Sequence, residues 1–140
     1  MKASNLDLSD IKVGKVYQFK RKITFDDGII FAKLTGDFNP LHTDVIFGGK
    51  SKFKKNIAHG MLAGIMFSTL IGMYCPGTKS LYLSQTFNFR LPIFYDDILT
   101  VKGKVTAKNE STRVVTLKTE ILKNGRICVN GETRVQLLDI

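Results

Sequence analysis

The stretch Gly60-Met61-Leu62-Ala63-Gly64-Ile65-Met66-Phe67-Ser68-Thr69-Leu70-Ile71-Gly72-Met73 decides the architecture. Wound as a helix, it carries apolar side chains almost all the way round, and such a helix has to be enclosed by other structure. Pro76-Gly77 stops it. Interrupted by Gly64, Ser68, Thr69 and Gly72, it falls well short of the roughly 20 apolar residues that span a membrane. The enclosure has to come from the rest of the chain.

Downstream, the period changes from helical to two. From Leu81 to Leu91 the odd positions are Leu81, Leu83, Gln85, Phe87, Phe89 and Leu91, and the even ones are mostly polar. That alternation predicts a strand with its odd face toward a core. The same period returns at Leu99, Val101, Gly103, Val105, then at Val115, Leu117, Thr119, Ile121, then at Ile127, Val129, Gly131, Thr133, Val135, Leu137. Asn124-Gly125 between the last two runs is a two-residue hairpin signal, because both residues tolerate positive φ. Upstream, a strand is expected over about residues 16–25. A first helix is expected from the acidic signal Asp26-Asp27 through about Leu34. One buried helix wrapped by a long antiparallel sheet is an α+β architecture. No Pro/Gly linker divides residues 1–140, so a single domain is expected.

Composition narrows the function. The 140 residues are 44% hydrophobic, enough for a real core, and show no repeat at a fixed period. No signal peptide is recognisable at the N-terminus, so a cytoplasmic protein with reduced Cys75 and Cys128 is expected. Cys128 lies in an apolar run and reads as a small buried hydrophobe. The net charge of +9 is unevenly placed. Residues 45–95 contain no acid but hold Lys50, Lys52, Lys54, Lys55, Lys79 and Arg90. No nucleic-acid-binding motif accompanies this excess. A solvated basic face is the simple account; a phosphate-bearing ligand or an acidic carrier protein is the sharper one.

The chemistry concentrates in Gly36-Asp37-Phe38-Asn39-Pro40-Leu41-His42. Pro40 biases Asn39 away from helical backbone, so the chain must turn there. That turn could bring Asp37 and His42 to one side of a cleft, with one water between two proton-transfer groups. Alone the spacing is weak evidence, and a capping Asp beside a surface His describes it as well. The second feature is Ala58-His59-Gly60-Met61-Leu62. Gly60 opens the buried helix, where free backbone N–H groups can hold an oxygen gaining negative charge. His59 reads as positioning the loop, and Ser68 as a small polar residue back-bonding within the helix.

Together these strings resemble the MaoC-like dehydratase family, and within it the single-domain (R)-specific enoyl-CoA hydratases (hydratase 2). The resemblance takes in Phe87-Asn88-Phe89-Arg90-Leu91-Pro92 and Asp96-Asp97 as well. It implies a hot-dog fold, usually paired as a homodimer, with no cofactor and no metal. It implies reversible syn hydration of a trans-2-enoyl thioester to an (R)-3-hydroxyacyl thioester. Asp37 and His42 correspond to the catalytic pair and Gly60 to the oxyanion-binding amide, while Asn39 shapes the turn and Ser68 supports the site. Which of the pair is the base stays open at this level. Where many relatives have a proline before Ile57, this chain has Lys55-Asn56, and its Gly48–Lys55 loop is unusually basic. Lys50, Lys52, Lys54, Lys55 and Arg90 are therefore expected to meet the phosphates of the carrier, whether coenzyme A or acyl carrier protein. A 3-hydroxyacyl-[acyl-carrier-protein] dehydratase of fatty-acid synthesis is the alternative reading. A non-catalytic acyl-thioester binding module is a weaker one, because it would ordinarily need an output domain. Neither a nucleic acid nor a membrane is expected as partner.

Overall fold

The period-two runs of the C-terminal half become the centre of a six-stranded antiparallel sheet. The computed structural model describes Met1–Ile140. Its strands are β1 (Val16–Lys22), β2 (Ser80–Gln85), β3 (Asn88–Phe89), β4 (Ile98–Asn109), β5 (Val114–Lys123) and β6 (Arg126–Leu137). They lie in the order β1-β4-β5-β6-β2, and β3 also pairs with β6. On β4 and β5 the expected residues are buried: Leu99, Val101 and Val105, then Val115, Leu117 and Ile121. The Asn124-Gly125 turn forms as read, with φ of 48° and 75° and Lys123 opposite Arg126. This is the positive-φ pair that matches the twist of a two-residue hairpin.

The helices lie between β1 and β2 in the sequence. α1 (Phe25–Thr35) is followed by the short α2 (Pro40–Thr43) and α3 (Val45–Lys50). The stretch 60–74 is helical in three pieces: α4 (Gly60–Gly64), α5 (Met66–Thr69) and a π-helical turn over Leu70–Tyr74. The break falls at Ile65, whose carbonyl accepts from Ser68 N–H at 2.9 Å, a tightened i→i+3 bond. Leu62, Ala63, Phe67 and Leu70 pack against Leu99, Val101, Ile121 and Val129. Ile71 and Cys75 join Leu8, Ile11, Val105, Leu117 and Val135 in a second cluster. A helix held in an antiparallel sheet in this way is the hot-dog fold. None of the helices is long and apolar enough to cross a membrane.

Two expectations need correcting. The run Leu81–Leu91 is not one half-buried strand. A register shift between Tyr82 and Ser84 on β6 displaces Leu83, and the chain then splits into β2 and β3. Because β2 is the last strand of the sheet, nothing in the chain covers Leu81 or Leu83, each 45% exposed. Nor is the central helix enclosed on every side. Met61, Ile65 and Ser68 form a stripe, spaced by four and three residues, that faces outward.

The helix approaches β3 at glycine distance. A Cβ on Gly60 would come within 3.0 Å of the Phe89 ring, and one on Gly64 within 2.7 Å of Phe87. The rings of Phe67, Phe87 and Phe89 stack in series at 6.1 and 6.0 Å. Phe67, almost fully buried at the foot of this stack, anchors the helix to the sheet. Phe67→Ala should remove about 3–5 kcal/mol of stability. Urea unfolding should show a lower midpoint with an unchanged slope.

Candidate active site

Two turns in series carry the chain from α1 to α2. α1 begins with a capping box, in which Thr24 Oγ1 accepts from Asp27 N–H and Asp27 Oδ2 accepts from Thr24 N–H. The cap is therefore Thr24, and the acidic pair read as the start signal fills the first turn. Gly36, at φ 82°, closes α1 and donates to Ala32 O. Asp37 Oδ1 then accepts from Asn39 N–H at 3.1 Å, and Asn39 Oδ1 accepts from Leu41 N–H at 3.0 Å. Asn39 thus caps α2, whose first residue is Pro40. The Asn-Pro break that the sequence shows is a helix start on a helix end.

This geometry brings Asp37 and His42 together, along with a third group. One carboxylate oxygen of Asp37 and one nitrogen each of His42 and His59 lie within 4.8 Å of one another. His42 Nδ1 donates to Ile57 O at 2.8 Å, which leaves Nε2 as the bare nitrogen of the neutral ring. His59, 2% exposed, uses Nε2 on the carbonyl of Asp37 at 3.0 Å and lies 3.8 Å from its Oδ2. Its Nδ1 is buried without a partner. The two imidazoles stack at 4.1 Å, and Phe31 packs on the far side of His59 at 4.9 Å. These are also the side chains that could share a metal ion, although Ile57 O and Asp37 O already engage one nitrogen of each ring.

Two clefts meet at this point, and His42, Gly60 and Phe89 line both. One, of about 490 Å³, is bounded by Phe31, Asp37, His59 and Met61. The other, of about 290 Å³, runs between Phe53, Ile57, Arg90 and Leu91. Gly60 is the first residue of α4, so its N–H has no acceptor within the helix. Ser68 is not part of this group: it lies on the exposed outer stripe of the helical run. The basic residues also separate. Arg90 lines the smaller cleft, Lys52 Nζ sits 5.2 Å from the Phe53 ring centre and Lys55 Nζ 4.4 Å from that of Phe94. Lys50 and Lys54 are exposed and line neither cleft. Cys128 is buried as read, with its thiol pushed up by burial, and Cys75 is pushed up to about 11 for the same reason.

Two residues that the sequence did not mark hold this turn from below. Asn56, nearly buried, directs Nδ2 at three carbonyls: Leu41 at 2.8 Å, Asp44 at 2.9 Å and Pro40 at 3.3 Å. Tyr95 donates its hydroxyl to His42 O at 3.0 Å, and burial pushes that hydroxyl up to about 12, so it remains a donor. Both contacts need clearance. A Cβ on Gly48 would meet Asn56 at 2.6 Å, and one on Gly28 would meet the Tyr95 hydroxyl at 2.2 Å. The only trace in the sequence is the Asn standing before Ile57.

Asn56→Ala leaves three part-buried carbonyl contacts without their donor and should cost about 1–3 kcal/mol. Asn56→Asp puts a carboxylate against three carbonyl oxygens and should cost more than the alanine variant. Thermal or urea unfolding of both ranks them; equal losses would mean that the amide hydrogens do not hold the turn.

Comparison with known proteins places this geometry. The family model described as MaoC like domain matches residues 10–125. The chain is 37% identical over 133 residues to an (R)-specific enoyl-CoA hydratase of Aeromonas caviae, covering 94% of this chain and 99% of that protein. It is 33% identical to a 3-hydroxybutyryl-CoA dehydratase of Methylorubrum extorquens, over 94% of this chain and 84% of the relative. The solved structure of an unliganded R-hydratase of Pseudomonas aeruginosa superposes with a TM-score of 0.93 at 31% identity, covering 99% of this chain and 89% of that one. With the fold, the paired turns and the family match in agreement along most of its length, the chain belongs to the MaoC-like family.

Proposed function

We propose that this chain is an (R)-specific enoyl-CoA hydratase, a hydro-lyase that adds water reversibly and syn across trans-2-enoyl-CoA. The observation that carries the reading is the meeting of Asp37, His42 and Gly60 at the junction of two clefts. A water that hydrogen-bonds to two groups at about 2.8 Å each, near the tetrahedral angle, spans about 4.6 Å. The Asp37 and His42 atoms lie no more than 4.8 Å apart, within the reach of one such water. The (R) hand and the coenzyme A thioester follow the relatives at 37% and 33% identity, by their names.

On this reading the acyl chain takes the cleft beside Phe31, Met61 and Phe89, and the thioester arm takes the one beside Arg90 and Leu91. The bound water attacks C3 while the Asp37–His42 pair accepts one of its protons. The C2–C3 π electrons move toward the thioester carbonyl, and the enolate oxygen is held by Gly60 N–H. The pair then returns a proton to C2 on the same face, so one water supplies both the hydroxyl and the hydrogen. His42 enters with Nε2 free, because Nδ1–H is committed to Ile57 O. Asn39 shapes the turn through its cap on α2. A supporting role for Ser68 would have to act from outside the chain's own cleft.

Residues 1–140 act as one domain in this proposal, in the cytoplasm and as a homodimer. Support for the pair comes from the open edge of β2 with exposed Leu81 and Leu83, and from exposed Met61 and Ile65 on the central helical run. A bare edge with apolar side chains is an aggregation hazard, which two-fold pairing removes. Light scattering at micromolar concentration should give twice the chain mass; a stable monomer would refute the pairing.

Loss of the enoyl-thioester absorbance on adding crotonyl-CoA tests the activity directly. Asp37→Asn and His42→Ala should each lower kcat/KM by at least about 100-fold while unfolding at nearly the wild-type midpoint. Near-normal hydration by either variant would remove that residue from the mechanism.

A further inference from the structure

Lys50 and Lys54 take no part in either cleft. They stand instead beside three consecutive exposed apolar residues: Val45, Ile46 and Phe47 of α3 are 69%, 72% and 50% exposed. The facing of α3 is fixed by Gly48, its buried position, where a Cβ would meet Asn56 at 2.6 Å. Ile46 and Lys50 lie two residues to either side of Gly48 and so point the opposite way, outward. Ser51 folds the next segment back onto the helix. Its hydroxyl donates to Gly48 O at 2.7 Å and accepts from Phe53 N–H at 3.2 Å, and Lys54 N–H donates to Ser51 O at 3.0 Å. Apolar and cationic side chains are thereby held on one small, ordered projection.

No carboxylate neutralises this projection. Lys50, Lys52, Lys54 and Lys55 are all exposed, none is in an ion pair, and residues 45–95 contain no acid. The neighbouring Asp44 commits Oδ1 to Phe47 N–H as the cap of α3. None of the cavities is lined by Val45, Ile46 or Phe47, so there is no recess here for a side chain of a protein partner. Protruding apolar side chains with cations beside them suit a different surface. At the boundary between anionic headgroups and acyl chains, apolar groups insert while lysines meet phosphates. Such contact involves no spanning helix, and the chain has none.

We infer that α3 and residues 50–55 form a docking patch for an anionic phospholipid surface. Val45 and Ile46 enter the headgroup boundary, and Lys50 and Lys54 meet lipid phosphates. Contact is peripheral and reversible: a few apolar side chains or a few charges bind only marginally, and the two together are needed. Near an anionic leaflet each lysine contributes about fivefold in affinity. The inference goes beyond the hydratase reading and gives the basic stretch a role apart from the clefts. Phe53 of the same segment lines one cleft, so docking brings that opening close to a surface on which long-chain acyl thioesters partition.

Co-sedimentation with vesicles of phosphatidylglycerol or of phosphatidylcholine tests the patch without turnover, so its result stands whether or not the chain hydrates crotonyl-CoA. The wild type should bind the first at low salt and not the second, and high salt should weaken the binding. Val45→Ser combined with Ile46→Ser changes no charge. It should lower affinity for phosphatidylglycerol vesicles about tenfold or more, with urea unfolding and crotonyl-CoA kinetics as in the wild type. Lys50→Glu combined with Lys54→Glu should lower that affinity at least about 25-fold. No binding to phosphatidylglycerol vesicles would overturn the patch. Unchanged binding by the serine variant would do so too, leaving only the attraction of a chain of net charge +9. Half the wild-type mass for that variant in light scattering would instead make α3 a contact between copies of this chain. Intact vesicle binding with activity lost only on crotonyl-acyl carrier protein would make it a docking face for that protein.

Discussion

The helical run from Gly60 to Tyr74 can lie against β3 only because Gly60 and Gly64 present no side chain to Phe89 and Phe87. That close approach does two things at once. It seats Phe67 under the phenylalanine stack and so fixes the helix in the sheet. It also puts the first N–H of the helix beside Phe89, at the mouth shared by both clefts. A larger residue at position 60 would push the helix off β3 and move that N–H with it. The placement of the N–H proposed to bind the oxyanion is thus set by a packing distance.

The turn that brings Asp37 to His42 is built almost wholly from backbone groups and their caps. Asn39 and Asp37 satisfy amides at the start of α2, and Asn56 and Tyr95 satisfy carbonyls of residues 40–44 from below. With donors and acceptors both paired, the segment has few alternative conformations at similar energy. His42 inherits this order through its own backbone and through Nδ1 on Ile57 O. In the role proposed for it, an imidazole held from two directions is ready for a bound water without first reorganising, which is the condition for efficient general acid–base chemistry.

Where a reading needed only local physics, the sequence was enough. The alternation on β4–β6, the Asn124-Gly125 turn and the helix break at Pro40 depend on neighbours within a few residues. The run 81–91 misled because alternation reports that two faces differ, not that the chain itself covers the apolar one. A bulge at Leu83 and an edge position on β2 undid the simple reading. Asn56 and Tyr95 were illegible for another reason. Their partners are 12–16 and 53 residues away, and no periodicity encodes such a contact. The basic stretch 50–55 read as one cluster, whereas Lys52 lies on the Phe53 ring, Lys55 lies on that of Phe94, and Lys54 sits at a turn with φ 62°. Lys123, from much further along the chain, meets Lys55 across the Phe94 ring.

His59 shows how the two halves of the site are made into one. Its residue precedes Gly60 and opens α4, while its ring lies between Phe31 of α1 and His42 of α2. Its Nε2–H reaches the carbonyl of Asp37, so one side chain spans the end of α1, the Asp37–His42 turn and the start of the central helix. Burying an imidazole with an unpartnered Nδ1 carries a desolvation cost. What it provides is registry: any slip of the helix along β3 would stretch the His59–Asp37 bond and unstack the His42 ring. The distance between the Asp37–His42 pair and the Gly60 N–H is therefore tied to a single buried side chain. In the proposed reaction, that coupling lets the water-adding pair and the oxyanion donor, from different elements, act on the two ends of one short conjugated system.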